Sequence, residues 1–338
     1  MTLMTDPSTL DQALAAFHST APEFGGGLSN HGPMVVESLE HAGRSDSIYS
    51  WTTGYLSKLD PLPSAPAEAA ASVTIEPALG GAEPDTWTRF FLDQIDRRGV
   101  DAVIDEWAAR LLSGAVGAAG HGALRAAHAI RSLDVRSTDA RVVEVAHGLG
   151  YWASRFHALP GRSGGGRLSF DRALAVMRPT PTAGWLISER VASIDPRSFG
   201  AGVSAAHLPS DPGAAFDEIS DLALRVLATH QEATIAFVHA VTVPAALRHL
   251  SMRLDREGRR AAAEQAWWVL AALWTAYGRR DPLVGAAGCR ETWDELLDRA
   301  IAGGDEHHIK LSAAVADESP RVDDALARFV VARVLGAV

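Results

Sequence analysis

Apolar residues recur along most of this chain at the three-and-four spacing of amphipathic helices, and hardly anywhere at the alternating spacing of strands. That pattern predicts helices over 10–17, 87–98, 102–112, 121–133, 140–156, 216–228, 233–254, 259–277, 292–301, 307–316 and 322–335. Ser8 or Thr9 is placed to cap the first of them. The best strand signal is 72–76, and it is short. The Pro, Ala and Gly-rich stretch 61–84 reads as a long loop, and Gly164 to Gly166 as a break. No fixed-period repeat is visible, which argues against a solenoid. The expectation is one all-α domain over 1–338.

Composition narrows the function. Hydrophobic residues at 47% and charged residues at 21% are ordinary for a globular chain and exclude a disordered one. A net charge of −10 provides no basic excess for phosphates, so neither a nucleic acid nor an anionic membrane is an expected partner. The single cysteine, Cys289, has no partner for an internal disulfide, which fits a reducing compartment. The first ten residues lack a basic, then apolar, leader. The longest apolar run, 266–277, is too short to span a bilayer. A soluble cytoplasmic protein is expected.

Organic-cofactor motifs are missing. No Gly-x-Gly-x-x-Gly follows a strand, so neither a flavin nor an NAD(P) site is supported. There is no phosphate-cradling Gly-x-x-x-x-Gly-Lys-Ser/Thr and no His-Glu-x-x-His, and no Gly-x-Ser-x-Gly follows a strand signal as a nucleophile elbow would.

What remains is the placement of histidine. His121, Arg125 and His128 are spaced four and then three apart, on one face of a helix otherwise rich in alanine. Such a stripe faces either solvent or a polar site in the core. His239 lies among Ile, Ala, Phe and Val, so its ring is expected to be buried, as a core histidine bonded to a carbonyl or as a metal ligand. His307 and Lys310 share a helical face one turn apart, behind the acids Asp305 and Glu306. Those acids have an ordinary reading as helix caps, and the lysine as a surface residue. Yet Lys310 is one of only two lysines, the other being Lys58, in a chain whose remaining basic residues are arginine. An ammonium cannot ligate a cation, whereas a deprotonated or carboxylated lysine can. His31, in Asn30-His31-Gly32-Pro33, opens a helix after a Gly-rich segment.

Together these blocks resemble the questin oxidase-like family, which acts in aromatic polyketide metabolism. The resemblance runs from about Asn30 to Val330. Its carriers are Asn30-His31, the block from Ser113 through His121 and His128, Tyr151-Trp152-Ala153 after Glu144, the segment around His239, and Asp305-x-His307-x-x-Lys310. Fungal relatives carry a histidine where this chain has Arg125, and further histidines where it has Met34 and Val35.

The resemblance implies an oxygenase that uses O2 to open a ring of a small anthraquinone-like aromatic substrate. Imidazole suits several metals, and oxygen chemistry on an aromatic ring calls for a redox-active one, so Fe(II) is the expected ion. His31, His121, His239 and His307 are the expected ligands, with His128 as a reserve and a carboxylated Lys310 as the anion. Arg125 is expected to orient an anionic group of the substrate. A redox-silent zinc hydrolase, or a module that binds an aromatic ligand, is the competing reading.

Overall fold

In the computed structural model, the residues described are 8–62, 75–161, 165–283 and 288–336. Among them the fold is all-α. Helices α1 (Thr9–Phe17), α2 (Gly32–His41) and α3 (Ile48–Leu56) open the chain, with a small hairpin, β1 (Glu23–Phe24) and β2 (Leu28–Ser29), between the first two. Then come α4 (Pro84–Arg98), α5 (Val100–Leu111), α6 (His121–Val135) and α7 (Asp139–Ser154). Three short helices follow, α8 (Phe170–Val176), α9 (Ile187–Ala192) and α10 (Pro196–Ser204). The chain closes with α11 (Pro212–Thr229), α12 (Thr234–Ser251), α13 (Arg256–Tyr277), α14 (Trp293–Gly303), α15 (Glu306–Glu318) and α16 (Asp324–Val334).

Local chemistry explains most boundaries. Ser8 accepts from the Asp11 N–H while Asp11 accepts from Ser8, a reciprocal cap that settles the start of α1. Thr292 and Glu295 form the same reciprocal cap on α14, while Thr138 and Asp305 cap α7 and α15 one way, through side-chain oxygens on main-chain donors. The expected strand at 72–76 lies at 72–74 outside the described residues, and its last two residues form no strand. The observed hairpin lies elsewhere, at 23–29.

The interior is apolar, and its largest fully buried side chains include Trp87, Trp107, Trp152 and Trp267. Residues Gln231–Ser251 are long and apolar enough to cross a membrane by length and composition, although 61% of that window is buried by neighbouring helices. For the site, one arrangement matters most. Helix α2 packs on α6, α6 on α12, α12 on α15, and α15 back on α2. This closed ring of four helices surrounds a polar centre.

Candidate metal centre

Each helix of the ring delivers one histidine, at the start of α2, α6 and α15 and in the second turn of α12. His31 sits immediately before α2, whose first turn holds Pro33 where a missing N–H costs nothing. Gly32 is required beside it, because a Cβ there would lie 2.4 Å from the Phe17 ring. The His31 N–H donates to the Tyr55 hydroxyl at 3.0 Å, which pins the main chain. His121 is the first residue of α6 and follows a left-handed turn, with φ of 49° at Ala118, 58° at Ala119 and 90° at Gly120. Left-handed alanines cost on the order of 1 kcal/mol each, so other contacts must hold this turn. Its result is that the Ala118 carbonyl accepts from His121 Nδ1 at 2.5 Å. His239, 1% exposed in α12, donates from Nδ1 to the Ile235 carbonyl at 2.7 Å. His307 is the second residue of α15, just past the Asp305 cap.

The four rings converge. His31 Nε2 lies 2.8 Å from His121 Nε2, which lies 3.0 Å from His239 Nε2. The His307 ring centroid is 4.6 Å from that of His31 and 5.4 Å from that of His239. One nitrogen from each of the four lies within 4.8 Å of all the others, a spacing that can hold a metal ion.

Tautomers sharpen the point. A carbonyl oxygen only accepts, so the proton of His121 and of His239 must sit on Nδ1, leaving both Nε2 atoms as lone pairs. Two lone pairs then face each other across 3.0 Å. A cation between them removes that repulsion. Burial holds His31, His121 and His239 well below the ordinary imidazole range, and each neighbouring positive charge deepens the effect. Burial likewise pushes His307 down to about 2. All four rings are therefore neutral near pH 7, the form that ligates.

The other expected site residues divide. Lys310 is 2% exposed, and among the described residues no hydrogen bond or ion pair engages its Nζ. Burial pushes it down to about 7, and a positive charge on it depresses all four histidines, so it adjoins the cluster. His128 turns to another cavity wall, where Lys310 and His249 also contribute. Its Nδ1 lies 2.5 Å from Glu37, which also accepts from Arg131. Arg125 does not line the histidine cavity. Its Nε and Nη2 reach the two oxygens of Glu144 at 2.6 and 3.0 Å, in a buried fork-to-fork pair. The substrate-orienting position expected for Arg125 is thus corrected: α6 turns this face towards α7, where Glu144 takes both guanidinium bonds. Neither a solvated stripe nor a single shared cavity describes His121, Arg125 and His128.

The cluster opens into a cavity of about 870 Å³, within the range of small-molecule sites. Phe24, Val116, Phe156, Leu186 and Ile187 give it apolar walls, and the exposed Trp185 stands at its rim. Sequence reading missed this wall, the Ala118 carbonyl and the presence of Glu306 beside the rings. A Gly-Ala-Ala-Gly stretch directly before His121 is the one local signal that pointed to a turn there. No protein-family model and no curated protein matches the chain.

Proposed function

We propose that this chain is a metal-dependent oxygenase of the questin oxidase-like kind, which uses Fe(II) and O2 to open a ring of a small, planar aromatic substrate. The observation that carries the reading is the convergence of four neutral imidazoles, three buried and one half-buried, on the floor of a largely apolar cavity of about 870 Å³. His31, His121, His239 and His307 would hold the ion, with Lys310, as a carbamate, for the anion that four imidazoles do not supply. Ferrous iron there would supply the one-electron chemistry through which dioxygen reacts with an aromatic ring.

The chain's own groups support this chemistry in three ways. Main-chain carbonyls fix the tautomers of His121 and His239 before any ligand arrives. Helices α2, α6 and α15 present their first turns to the centre, and those partial positive charges favour an anionic group such as a phenolate. The apolar wall of Phe24, Phe156 and Leu186 excludes water around the bound substrate. Arg125 has no part in this scheme, because it is already paired.

The test is anaerobic loading of the metal-free protein with Fe(II), followed by O2 uptake with a hydroxylated anthraquinone. Entry of both oxygen atoms across a cleaved carbon–carbon bond balances without a reductant. Entry of one atom, with the other released as water, draws two electrons and two protons from a donor. Uptake is therefore measured with and without ascorbate. Tight zinc binding with no oxygen uptake under either condition would instead favour the redox-silent reading.

A further inference from the structure

Four acids line the histidine cavity: Glu23, Glu189, Asp305 and Glu306. Three of them are engaged. Glu23 pairs with Arg155 through two bonds of 2.8 Å and accepts from the Tyr151 hydroxyl. Glu189 accepts from the Trp185 and Leu186 N–H groups at the start of α9. Asp305 accepts from the N–H groups of His307 and His308. Glu306 is different: among the described residues it makes no hydrogen bond. Two nitrogens stand near it, Lys58 Nζ and His31 Nδ1, each 3.9 Å away.

The atom opposite is equally unserved. His31 Nδ1 is fully buried and has no hydrogen-bond partner among the described residues. A histidine that ligates through Nε2 carries its proton on Nδ1, and a buried N–H needs an acceptor. His121 and His239 meet this need with main-chain carbonyls. For His31 no carbonyl stands in that place, and Glu306 is the carboxylate within ion-pair distance.

We propose that Glu306 is a positioning residue of this centre, accepting the Nδ1–H of His31 when Nε2 engages a divalent cation. The inference rests on reading the histidine cluster as a metal centre and adds to it a residue that is not itself a ligand. Glu306 completes a carboxylate–histidine–metal line, fixes the ring plane, and places a negative charge beside four neutral imidazoles. Lys58, half exposed, stands 3.9 Å from the other oxygen of Glu306.

The experiment titrates the metal-stripped, full-length chain with Co(II), following its visible absorption, for the parent, Glu306→Ala and Glu306→Gln. The alanine variant is expected to bind about 10–100-fold more weakly. The glutamine variant keeps an acceptor oxygen and is expected within about fivefold of the parent. In the cobalt-loaded parent, proton NMR should show shifted, slowly exchanging imidazole N–H signals from His31, His121 and His239. Glu306→Ala should lose one of them and keep the rest, which a general loosening of the fold would not do. Binding by Glu306→Ala as tight as the parent overturns the proposal. So does equal loss in the alanine and glutamine variants, which would make the carboxylate a direct ligand. Failure of the parent itself to take up cobalt would overturn the metal-centre reading, and this proposal with it.

Discussion

His121 and His239 face each other Nε2 to Nε2 at 3.0 Å, while the Nδ1 of each is committed to a main-chain carbonyl. Neither ring can donate to the other without giving up its carbonyl bond. The contact is a standing repulsion in the metal-free protein, and a cation converts it into two bonds. Binding to this folded cluster, and not to the unfolded chain, also stabilises the fold by mass action, about 2.7 kcal/mol at a metal concentration 100 times Kd. Stripping the metal with a chelator should therefore lower the melting temperature, and re-addition should restore it. His121→Ala is expected to lower metal affinity by more than about 100-fold, because the other rings then meet across a gap. Metal analysis of the purified variant checks this. Full stoichiometry in His121→Ala would remove this residue from the centre.

Stability should also fall as the solution becomes acidic, for a reason lying outside the metal centre. His147 stacks on His18 with ring centroids 4.8 Å apart, beside Arg125 and Glu144. Burial pushes His147 down to about 3, and Arg125 adds to the effect while Glu144 opposes it. The unfolded chain takes up a proton here near pH 6.5, and the folded one does not. Stability from this group is complete above pH 6.5 and is lost as pH falls towards 3, by up to about 1.4 kcal/mol per unit. Urea unfolding of chelator-treated protein at pH 7.5 and 5.5 measures the slope. His147→Gln should flatten the mean slope between those two pH values by about half a proton, and an unchanged slope would show that the ring titrates freely in the folded state.

The Arg125–Glu144 pair is expected to be structural. Both side chains are buried, 3% and 2% exposed, and the guanidinium holds the Glu144 carboxyl well below its usual range. Arg125→Met leaves that carboxylate without its main partner and should cost about 3–5 kcal/mol in chemical unfolding. Arg125→Met combined with Glu144→Leu should recover most of the loss, since two apolar groups can replace a buried pair. A loss of substrate affinity in Arg125→Lys with stability unchanged would contradict this assignment.

The contrast between His121 and Arg125 shows how much of the site was legible in sequence. The three-and-four spacing on α6 marked a polar face and left open whether solvent or the core receives it; the structure turns His121 and Arg125 into the interior. Spacing fixes which residues share a face, but not what each meets, and the face is divided among three partners. His121 reaches the cluster, Arg125 reaches Glu144 on α7, and His128 reaches Glu37 on α2. Those partners lie 90, 19 and 91 residues away, distances over which periodicity carries no information. His239 was easier, because an imidazole in an unbroken apolar helix has few places to go. The short helices α3, α8, α9 and α10 were missed because their few buried positions are too sparse to show a period, as with Phe199 and Val203 alone in α10. The all-α class survived these omissions, since the long helices carry the apolar stripes that build the core.

Lys310 gives the sharpest prediction. An ammonium about 4 Å from a divalent cation is repelled by on the order of 4 kcal/mol per unit-charge pair at an effective dielectric of 20, so a charged lysine works against metal binding. Burial pushes this lysine down to about 7, with Glu306 and Asp305 only partly opposing it. Near neutral pH a large fraction therefore carries a free amine lone pair. That amine can add carbon dioxide, forming a carbon–nitrogen bond and releasing one proton, and the product is an anion. One side chain would then change from a cation that opposes the metal to a carboxylate-type group that balances it. Carbon-13 bicarbonate should label the parent at neutral pH, and the label should be lost in acid and absent from Lys310→Met. Lys310→Arg keeps a permanent positive charge beside the histidines and should lose both metal and activity. Lys310→Met removes the charge without supplying the anion; it should fold, hold metal more weakly than the parent, and remain inactive. Full oxygen uptake by Lys310→Arg, with no carbon-13 label in the parent, would show that Lys310 does not enter the chemistry in either form.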